Sequence, residues 1–60
     1  MIKKDSRVVV VSSFAFKHTK GTVVEINTKN VFGVEVLVKL DDYEDKYWFD
    51  SNELEEIKHG

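Results

Sequence analysis

Residues 36–57 read VLVKLDDYEDKYWFDSNELEEI, and this stretch decides the fold. Two apolar runs flank the segment Asp41 to Asp45, which we call the acidic turn. Because so many charges are costly to bury, we predict that the acidic turn joins two antiparallel strands at the surface. Beyond the second run, Asp50 or Ser51 can accept hydrogen bonds from backbone N–H groups two or three residues on. This predicts one helical turn, followed by a short closing strand.

The run that precedes the acidic turn alternates with the period of a strand. Side chains on a strand point to opposite faces in turn, so positions two apart share a face. One face then carries only apolar residues and should form the core, whereas the other is mixed. The first set is Val34, Val36, Val38 and Leu40, and the second is Glu35, Leu37 and Lys39.

The first half of the chain predicts two more strands. Residues 7–11 are a β-branched run in which Val8 and Val10, or equally Val9 and Val11, could face the core. Residues 12–20 predict a long loop, and Gly21 opens the next strand, where it would supply a bulge or a positive φ angle. The polar residues 27–30 predict a hairpin turn before a strand over residues 31–40.

These segments predict one all-β domain over residues 1–60, with five antiparallel strands and one short helical turn before the last strand. A chain of this size buries only about 60% of the surface that its unfolded form exposes, so it has room for one core. The predicted core residues are Val8, Val10, Val23, Ile26, Val34, Val36, Val38, Leu40, Phe49, Leu54 and Ile57.

Four short motifs resemble the SH3-like barrel. They are DSRVVV at residues 5–10, KGTVVEI at 20–26, VKLDD at 38–42 and NELEEI at 52–57. The chain is similar to the small relatives of that barrel: KOW-type ribosomal and transcription-factor domains, the SH3-like electron-transfer accessory protein of photosystem I and prophage-encoded SH3-like proteins. The resemblance implies a bent five-stranded SH3-like barrel that holds ligands on an aromatic floor. The motifs of signalling SH3 domains are missing, so proline-rich ligands are not expected.

Composition excludes several other ways of stabilising so small a domain. The chain has no cysteine and only two histidines, so we expect neither a disulfide nor a structural zinc site. No apolar run approaches the ~18 residues of a membrane-spanning helix, and the first residues do not resemble a signal peptide. We expect a cytoplasmic domain that is a monomer or a small oligomer and that holds no cofactor.

Charge is distributed unevenly along the sequence. Residues 1–40 carry seven lysines and arginines against three acids, whereas residues 41–60 carry two against eight. Both groups could simply be solvated surface. Alternatively, the acidic half could steer the molecule toward a basic partner, because clustered charge raises association rates.

Catalytic and metal chemistry are poorly supported by the sequence. Ser12 and Ser13 lie near His18, but residues on one loop offer no fixed geometry for a nucleophile and its base. The carboxylates of the acidic turn suit calcium or magnesium, yet their spacing is not that of an EF-hand and the turn has no glycine. We therefore predict no catalytic residue and no metal site.

Aromatic residues give the best functional indication. Alternation places Tyr47 and Phe49 on one face of their strand, so Trp48 should point outward if Phe49 is core. We predict a partner-binding floor, rimmed by carboxylates; the alternative is that Trp48 packs under the first loop as a satellite core. The floor is Phe14, Phe16, Tyr43 and Trp48, and the rim is Asp41, Asp42, Glu44 and Asp45.

Three functions remain open at this point. The first is a non-catalytic protein-interaction module, which the resemblance extends to a phage or mobile-element protein that docks on a host macromolecule. The second is a KOW-like nucleic-acid accessory domain that would use basic residues for phosphate contacts. The third is an acidic DNA mimic. The basic residues of the second function are Arg7, Lys17, Lys20 and Lys29.

Overall fold

The computed structural model describes residues 2–30 and 33–58, with the side chains of residues 29 and 30 left out. The described part forms five strands and one 3-10 turn. These are β1 (Arg7–Val10), β2 (Lys20–Asn30), β3 (Gly33–Leu40), β4 (Lys46–Asp50), the 3-10 turn η1 (Ser51–Glu53) and β5 (Leu54–Glu56).

The five strands make one antiparallel sheet in the order β4-β3-β2-β1-β5. The long strand β2 links the two ends of the sheet, because its first residues pair with β1 and most of the strand from Gly21 onward pairs with β3. The register between β2 and β3 shifts between Val23 and Glu25, which marks a bulge in β2. The predicted all-β class, five antiparallel strands and helical turn before the last strand are confirmed.

The core lies on the inner face of this sheet. Val8 and Val10 are fully buried, which settles which alternating set of β1 faces inward. On β3, Val36, Val38 and Leu40 are fully buried, as their alternation predicted. Of the remaining predicted core residues, Val23, Phe49 and Leu54 are buried, while Ile26, Val34 and Ile57 are half-buried. Ile2, Phe16 and Tyr47 pack against the core as well, and the sequence reasoning missed them.

The predicted turn over residues 27–30 is wrong, because these residues belong to β2. Asn27 lies opposite Glu35 and Asn30 lies opposite Gly33, so both ends of this segment pair with β3, although the register is irregular between them. Pairing of the backbone satisfies N–H and C=O groups whatever the polarity of the side chains, which outweighs the weak strand preference of asparagine and lysine. The start of the predicted strand 31–40 falls at residues 31 and 32, outside the described part.

Gly21 has a different role from the one predicted. Its φ angle is not positive, and the bulge lies further along β2, between Val23 and Glu25. Instead, Gly21 is packed so closely against β3 that a Cβ atom would lie 2.6 Å from Cγ1 of Val38 and 2.7 Å from the carbonyl oxygen of Lys39. The glycine is there because the two strands approach too closely for any side chain.

The turn η1 begins after Asp50, whose extended backbone is that of an N-cap residue. The backbone N–H of Asp50 donates a hydrogen bond of 2.9 Å to the carboxylate of Glu53. This is the interaction that the glutamate of a capping box provides, and it fixes the direction in which the chain leaves β4 for β5. In the described residues, no helix has the length and apolar character needed to cross a membrane.

Candidate functional site

Three partly exposed aromatic rings meet where the first loop folds against the acidic turn. The ring of Phe16 lies 5.2 Å from that of Tyr43 and 4.7 Å from that of Tyr47, and the two tyrosine rings are 6.2 Å apart. We call these three residues the Phe16 cluster. Phe16 also packs edge-on against the core ring of Phe49 at 5.9 Å. The cluster is therefore a surface extension of the core, held by aromatic contacts of favourable geometry.

Backbone hydrogen bonds hold the first loop, residues 11–19, in the position that delivers Phe16. The N–H of His18 donates to the carbonyl of Val10 at 2.7 Å, and the N–H of Thr19 donates to that of Phe16 at 3.0 Å. His18 has a φ angle of 73°, a left-handed conformation that lets the loop reverse direction before β2. The loop is thus tied to the ends of β1 and β2, which fixes where Phe16 lies.

The acidic turn is fixed from the β3 side. The N–H of Tyr43 donates to the carbonyl of Leu40 at 3.2 Å. The ammonium group of Lys39 donates to the same carbonyl at 2.9 Å and also to the carbonyl of Tyr43. These bonds position the Tyr43 ring over Phe16, although Tyr43 remains 39% exposed.

The predicted aromatic floor is divided between separate surfaces. Phe16 and Tyr43 come together, and Tyr47, which was not among the predicted site residues, completes their cluster. Trp48 is exposed, as alternation predicted, but it lies on the opposite face of β4 from Tyr47, next to Leu37 of β3. Phe14, at the tip of the first loop, is fully exposed. The satellite core under this loop is built from Phe16 and Tyr47, not from Trp48.

Asp41 is the one member of the predicted rim that forms an ion pair with a described residue. Both of its carboxylate oxygens accept hydrogen bonds from the Arg7 guanidinium, at 2.8 and 2.6 Å. Arg7 also donates to the hydroxyl of Thr22 at 2.9 Å. These hydrogen bonds are the main reason why the pKa of Asp41 lies below its usual value, and the charges of Lys39 and Lys20 act in the same direction.

The other three rim residues, Asp42, Glu44 and Asp45, are exposed. Within the described part of the chain, no cation lies within ion-pair distance of them. They surround Tyr43 in the sequence, so an uncompensated patch of negative charge borders the Phe16 cluster. The rim that the sequence predicted therefore consists of three free carboxylates beside one neutralised by Arg7.

The predicted basic residues do not form one uncompensated patch. Arg7 is engaged with Asp41, so a phosphate could contact its guanidinium only by displacing a bidentate carboxylate. Lys17 and Lys20 are exposed, and the side chain of Lys29 is outside the described part.

A shallow depression on the outer face of the sheet borders Trp48. Its volume is about 420 Å³, and Glu25, Ile26, Asn27 and Thr28 of β2 line its other side. Elsewhere among the described residues, no group of three histidine or acidic side chains is arranged to hold a metal ion. Ser12 and His18 are exposed on the first loop.

Loss of the Arg7–Asp41 pair should change how stability depends on pH. The pKa of Asp41 is lower in the folded than in the unfolded chain, so the pair stabilises the fold above the unfolded value of about 4. This contribution disappears as the pH falls through the lower folded pKa. We expect Asp41→Asn to be less stable than the wild type at pH 7 and to lose less stability on acidification to pH 2.

Urea unfolding at several pH values measures this difference. Asp42→Asn is the matched control, because it removes a carboxylate of the same turn that has no ion-pair partner among the described residues. Equal pH dependence for Asp41→Asn and the wild type would contradict the assignment. High salt should shrink the effect, since Arg7 and Asp41 are both partly exposed.

Comparisons with known proteins give no relative for this chain: no family model, no curated protein and no solved structure matches it.

Proposed function

We propose that this chain is a non-catalytic protein-interaction module that docks through the Phe16 cluster and the free carboxylates of the acidic turn. One observation carries the proposal. Three aromatic rings, packed on each other at 4.7 to 6.2 Å, stay partly exposed at the surface beside Asp42, Glu44 and Asp45. A cluster of this kind combines an apolar anchor with a charged border.

The Phe16 cluster suits binding because its rings are ordered before a partner arrives. Contact with Phe49 links the cluster to the core, so little side-chain entropy remains to be lost on association. Tyrosine is also enriched among the residues that dominate binding energy at protein interfaces, since it offers apolar area and a hydroxyl. The free energy of binding should therefore come from the rings.

The carboxylates favour a partner of the opposite charge. Three exposed acids without an ion pair repel one another, and lysines or arginines on a partner would relieve that repulsion. Exposed charges accelerate encounter more than they slow dissociation. The expected partner is thus a protein surface that places basic side chains around an apolar residue.

The resemblance to prophage-encoded SH3-like proteins extends this proposal to a phage or mobile-element protein that acts on a host macromolecule in the cytoplasm. Occupation of a host surface needs no catalytic residue, which agrees with the docking surface proposed above. The SH3-like relationship itself remains part of the proposal, and it rests on the four sequence motifs.

Truncation of Tyr43 is expected to weaken binding strongly. Tyr43 touches both other rings of the cluster yet is 39% exposed, so Tyr43→Ala should remove about 2 kcal/mol of binding, roughly 30-fold in Kd, without unfolding the domain. Partners are first captured from lysate with the wild-type bait alone, and the affinity of each captured protein for the wild type, Tyr43→Ala and Trp48→Ala is then measured by calorimetric titration.

Trp48→Ala is the matched control, because Trp48 is an exposed aromatic residue on the other face of β4. Trp48→Ala should bind the partner with the same Kd per chain as the wild type, whereas Tyr43→Ala should bind it more weakly. If Trp48→Ala loses affinity and Tyr43→Ala does not, the docking surface is the outer face of the sheet. If a nuclease abolishes capture and the affinity falls steeply with salt, the KOW-like nucleic-acid function replaces this proposal.

Neutralising the free carboxylates should affect rates more than affinity. We expect Asp42→Asn/Glu44→Gln/Asp45→Asn to slow association with the captured partner at low salt and to leave dissociation nearly unchanged. Stopped-flow measurements at two ionic strengths test this. Faster association of the variant would point to an acidic partner or to a nucleic acid, and would contradict a basic one.

A further inference from the structure

A second exposed surface lies on the opposite side of β4 from the Phe16 cluster. In the strand order of the described residues, β4 lies at the edge of the sheet and pairs with β3. An edge strand presents backbone N–H and C=O groups that are not used by the sheet, and these can pair with another strand. The unpaired edge of β4 can therefore accept a further strand.

The backbone pattern shows which residues of β4 direct their groups outward. The N–H of Asp41 donates to the carbonyl of Lys20 on β2 at 3.0 Å. Alternation along β3 then turns the backbone groups of Val38 and Val36 toward β4, where their partners are Tyr47 and Phe49. The intervening residues of β4 therefore direct their backbone groups to the free edge.

The bond from the N–H of Asp50 agrees with this alternation. That N–H donates to the Glu53 carboxylate and not to β3. The backbone groups directed to the free edge thus belong to Lys46, Trp48 and Asp50. In Lys46 and Trp48, both the N–H and the C=O can bond to an added strand.

The sequence of β4, Lys-Tyr-Trp-Phe-Asp, is complementary in charge to its own reverse. In antiparallel pairing with a second copy centred on Trp48, Lys46 lies opposite Asp50 of the second copy, and the reverse pair forms as well. The two Trp48 side chains meet at the two-fold axis on the same face. Parallel pairing would instead place each charge opposite its like, which is unfavourable.

Within one chain, the same charges face neighbours of the same sign. Lys46 lies opposite Lys39 and Asp50 lies opposite Glu35 in the register of β3 and β4. Like charges directly opposite on neighbouring strands are destabilising. Neither Lys46 nor Asp50 forms an ion pair with a described residue, so a second copy would supply the counter-charge at both ends of the strand.

Trp48 adds apolar area at the centre of this arrangement. It is 49% exposed and lies directly opposite Leu37 on the outer face. From these observations, we propose that the chain forms a homodimer with two-fold symmetry, in which β4 pairs antiparallel with β4 of a second copy, centred on Trp48. The interface uses the same patch on both copies, so it closes at two chains. It leaves the Phe16 cluster to other partners.

Charge reversal tests the proposed pairing with variants that are expected to stay folded, so that a loss of dimer reports on the interface. Lys46→Asp places a carboxylate opposite Lys39, and Asp50→Lys places an ammonium group opposite Glu35. Each change therefore improves contacts inside one chain, while it creates like-charge pairs between two copies. Each single variant should be folded but monomeric. A mixture of the two variants pairs two carboxylates with two ammonium groups, so it should form dimers again.

Sedimentation equilibrium of the wild type, both single variants, their equimolar mixture and the double variant Lys46→Asp/Asp50→Lys measures this directly. We expect a mass of twice 7.0 kDa for the wild type, the mixture and the double variant, and one chain for each single variant. A wild type that stays monomeric up to millimolar concentration overturns the proposal. Single variants that dimerise like the wild type, a mixture that stays monomeric, or assemblies larger than two chains also overturn it.

Amide hydrogen exchange provides a second readout that uses only the wild type and Lys46→Asp, because Asp50 is also the N-cap residue of η1. The N–H of Trp48 points to the free edge, so its exchange should slow at least tenfold as the wild-type concentration rises through the dimerisation range. In Lys46→Asp it should not change with concentration. An exchange rate at Trp48 that is independent of concentration in the associating wild type would place the contact elsewhere and refute the β4 edge.

Discussion

Val38→Asp is expected to leave the domain unfolded at 25 °C. Val38 is fully buried on β3, and its Cγ1 faces Gly21 of β2. An unpaired carboxylate in such a position costs about 3–5 kcal/mol, and the lost valine contributes roughly 1.5 kcal/mol more. A chain of this length has a total stability of only ~3–9 kcal/mol, so the penalty is comparable to all of it.

Thermal and urea unfolding followed by circular dichroism measure this effect. Leu37→Asp is the matched control, since it introduces the same charge at the next position of β3, on the half-buried outer face beside Trp48. It should cost less and leave a cooperative transition. If the two variants melt alike, the assignment of the inner face of β3 as the core is wrong.

Alternation along single strands was the most reliable information in the sequence. It identified the buried set on β3 and the opposite orientations of Phe49 and Trp48, because both depend only on the two-residue period of a strand. In β1, where both alternating sets are valines, the same argument could not choose between faces. The packing of the whole sheet selects Val8 and Val10.

The ends of strands were less predictable, because they depend on what pairs across the sheet. Residues 27–30 look like a turn by composition, yet they continue β2 because β3 extends far enough to bond them. The close approach of Gly21 to Val38 likewise joins residues that are distant in the sequence. From the local sequence, Gly21 was expected to supply a bulge or a positive φ angle. The structure instead requires glycine because there is no space for a Cβ atom.

The candidate site could be predicted only in part, because it too depends on contacts between residues that are distant in the sequence. Composition indicated that some aromatic residues must be exposed, and alternation placed Trp48 outward. Where the first loop folds is a long-range property, set by its bonds to the ends of β1 and β2, so the contact between Phe16 and Tyr47 had no local signal. Tyr47 could have been suspected from its place beside Phe49 on the inner face of β4.

The basic and acidic parts of the sequence meet at Asp41 in the structure. Arg7, from the basic part, pairs with Asp41, from the acidic part, and the charges of Lys20 and Lys39 also lie near that carboxylate. Two groups of charges that form no ion pair with a described residue are closely localised: the three free carboxylates of the acidic turn and the two ends of β4. These are the surfaces to which we assign partner docking and self-association.

Gly21→Ala is expected to destabilise the domain by about 3 kcal/mol, at the upper end of the cost of overpacking a core. The new Cβ would lie 2.6 Å from Cγ1 of Val38, 2.7 Å from the carbonyl oxygen of Lys39 and 3.1 Å from Cα of Leu40. Favourable contacts between carbon atoms lie at about 3.5–4.0 Å. Two of the three obstructing atoms are backbone, so β2 and β3 must separate and weaken their ladder.

Gly33→Ala is the control for this change, because a Cβ at Gly33 would meet no atom within 4 Å and its φ angle is not positive. That variant should equal the wild type or gain up to about 1 kcal/mol, since alanine reduces the entropy of the unfolded chain. In addition, Val38→Ala should partly rescue Gly21→Ala by removing Cγ1, so that the double variant is more stable than the sum of the single effects predicts. The clash with the Lys39 carbonyl would remain, which makes full rescue unexpected. Equal urea midpoints for Gly21→Ala and Gly33→Ala would mean that β2 and β3 do not approach as closely as this packing requires.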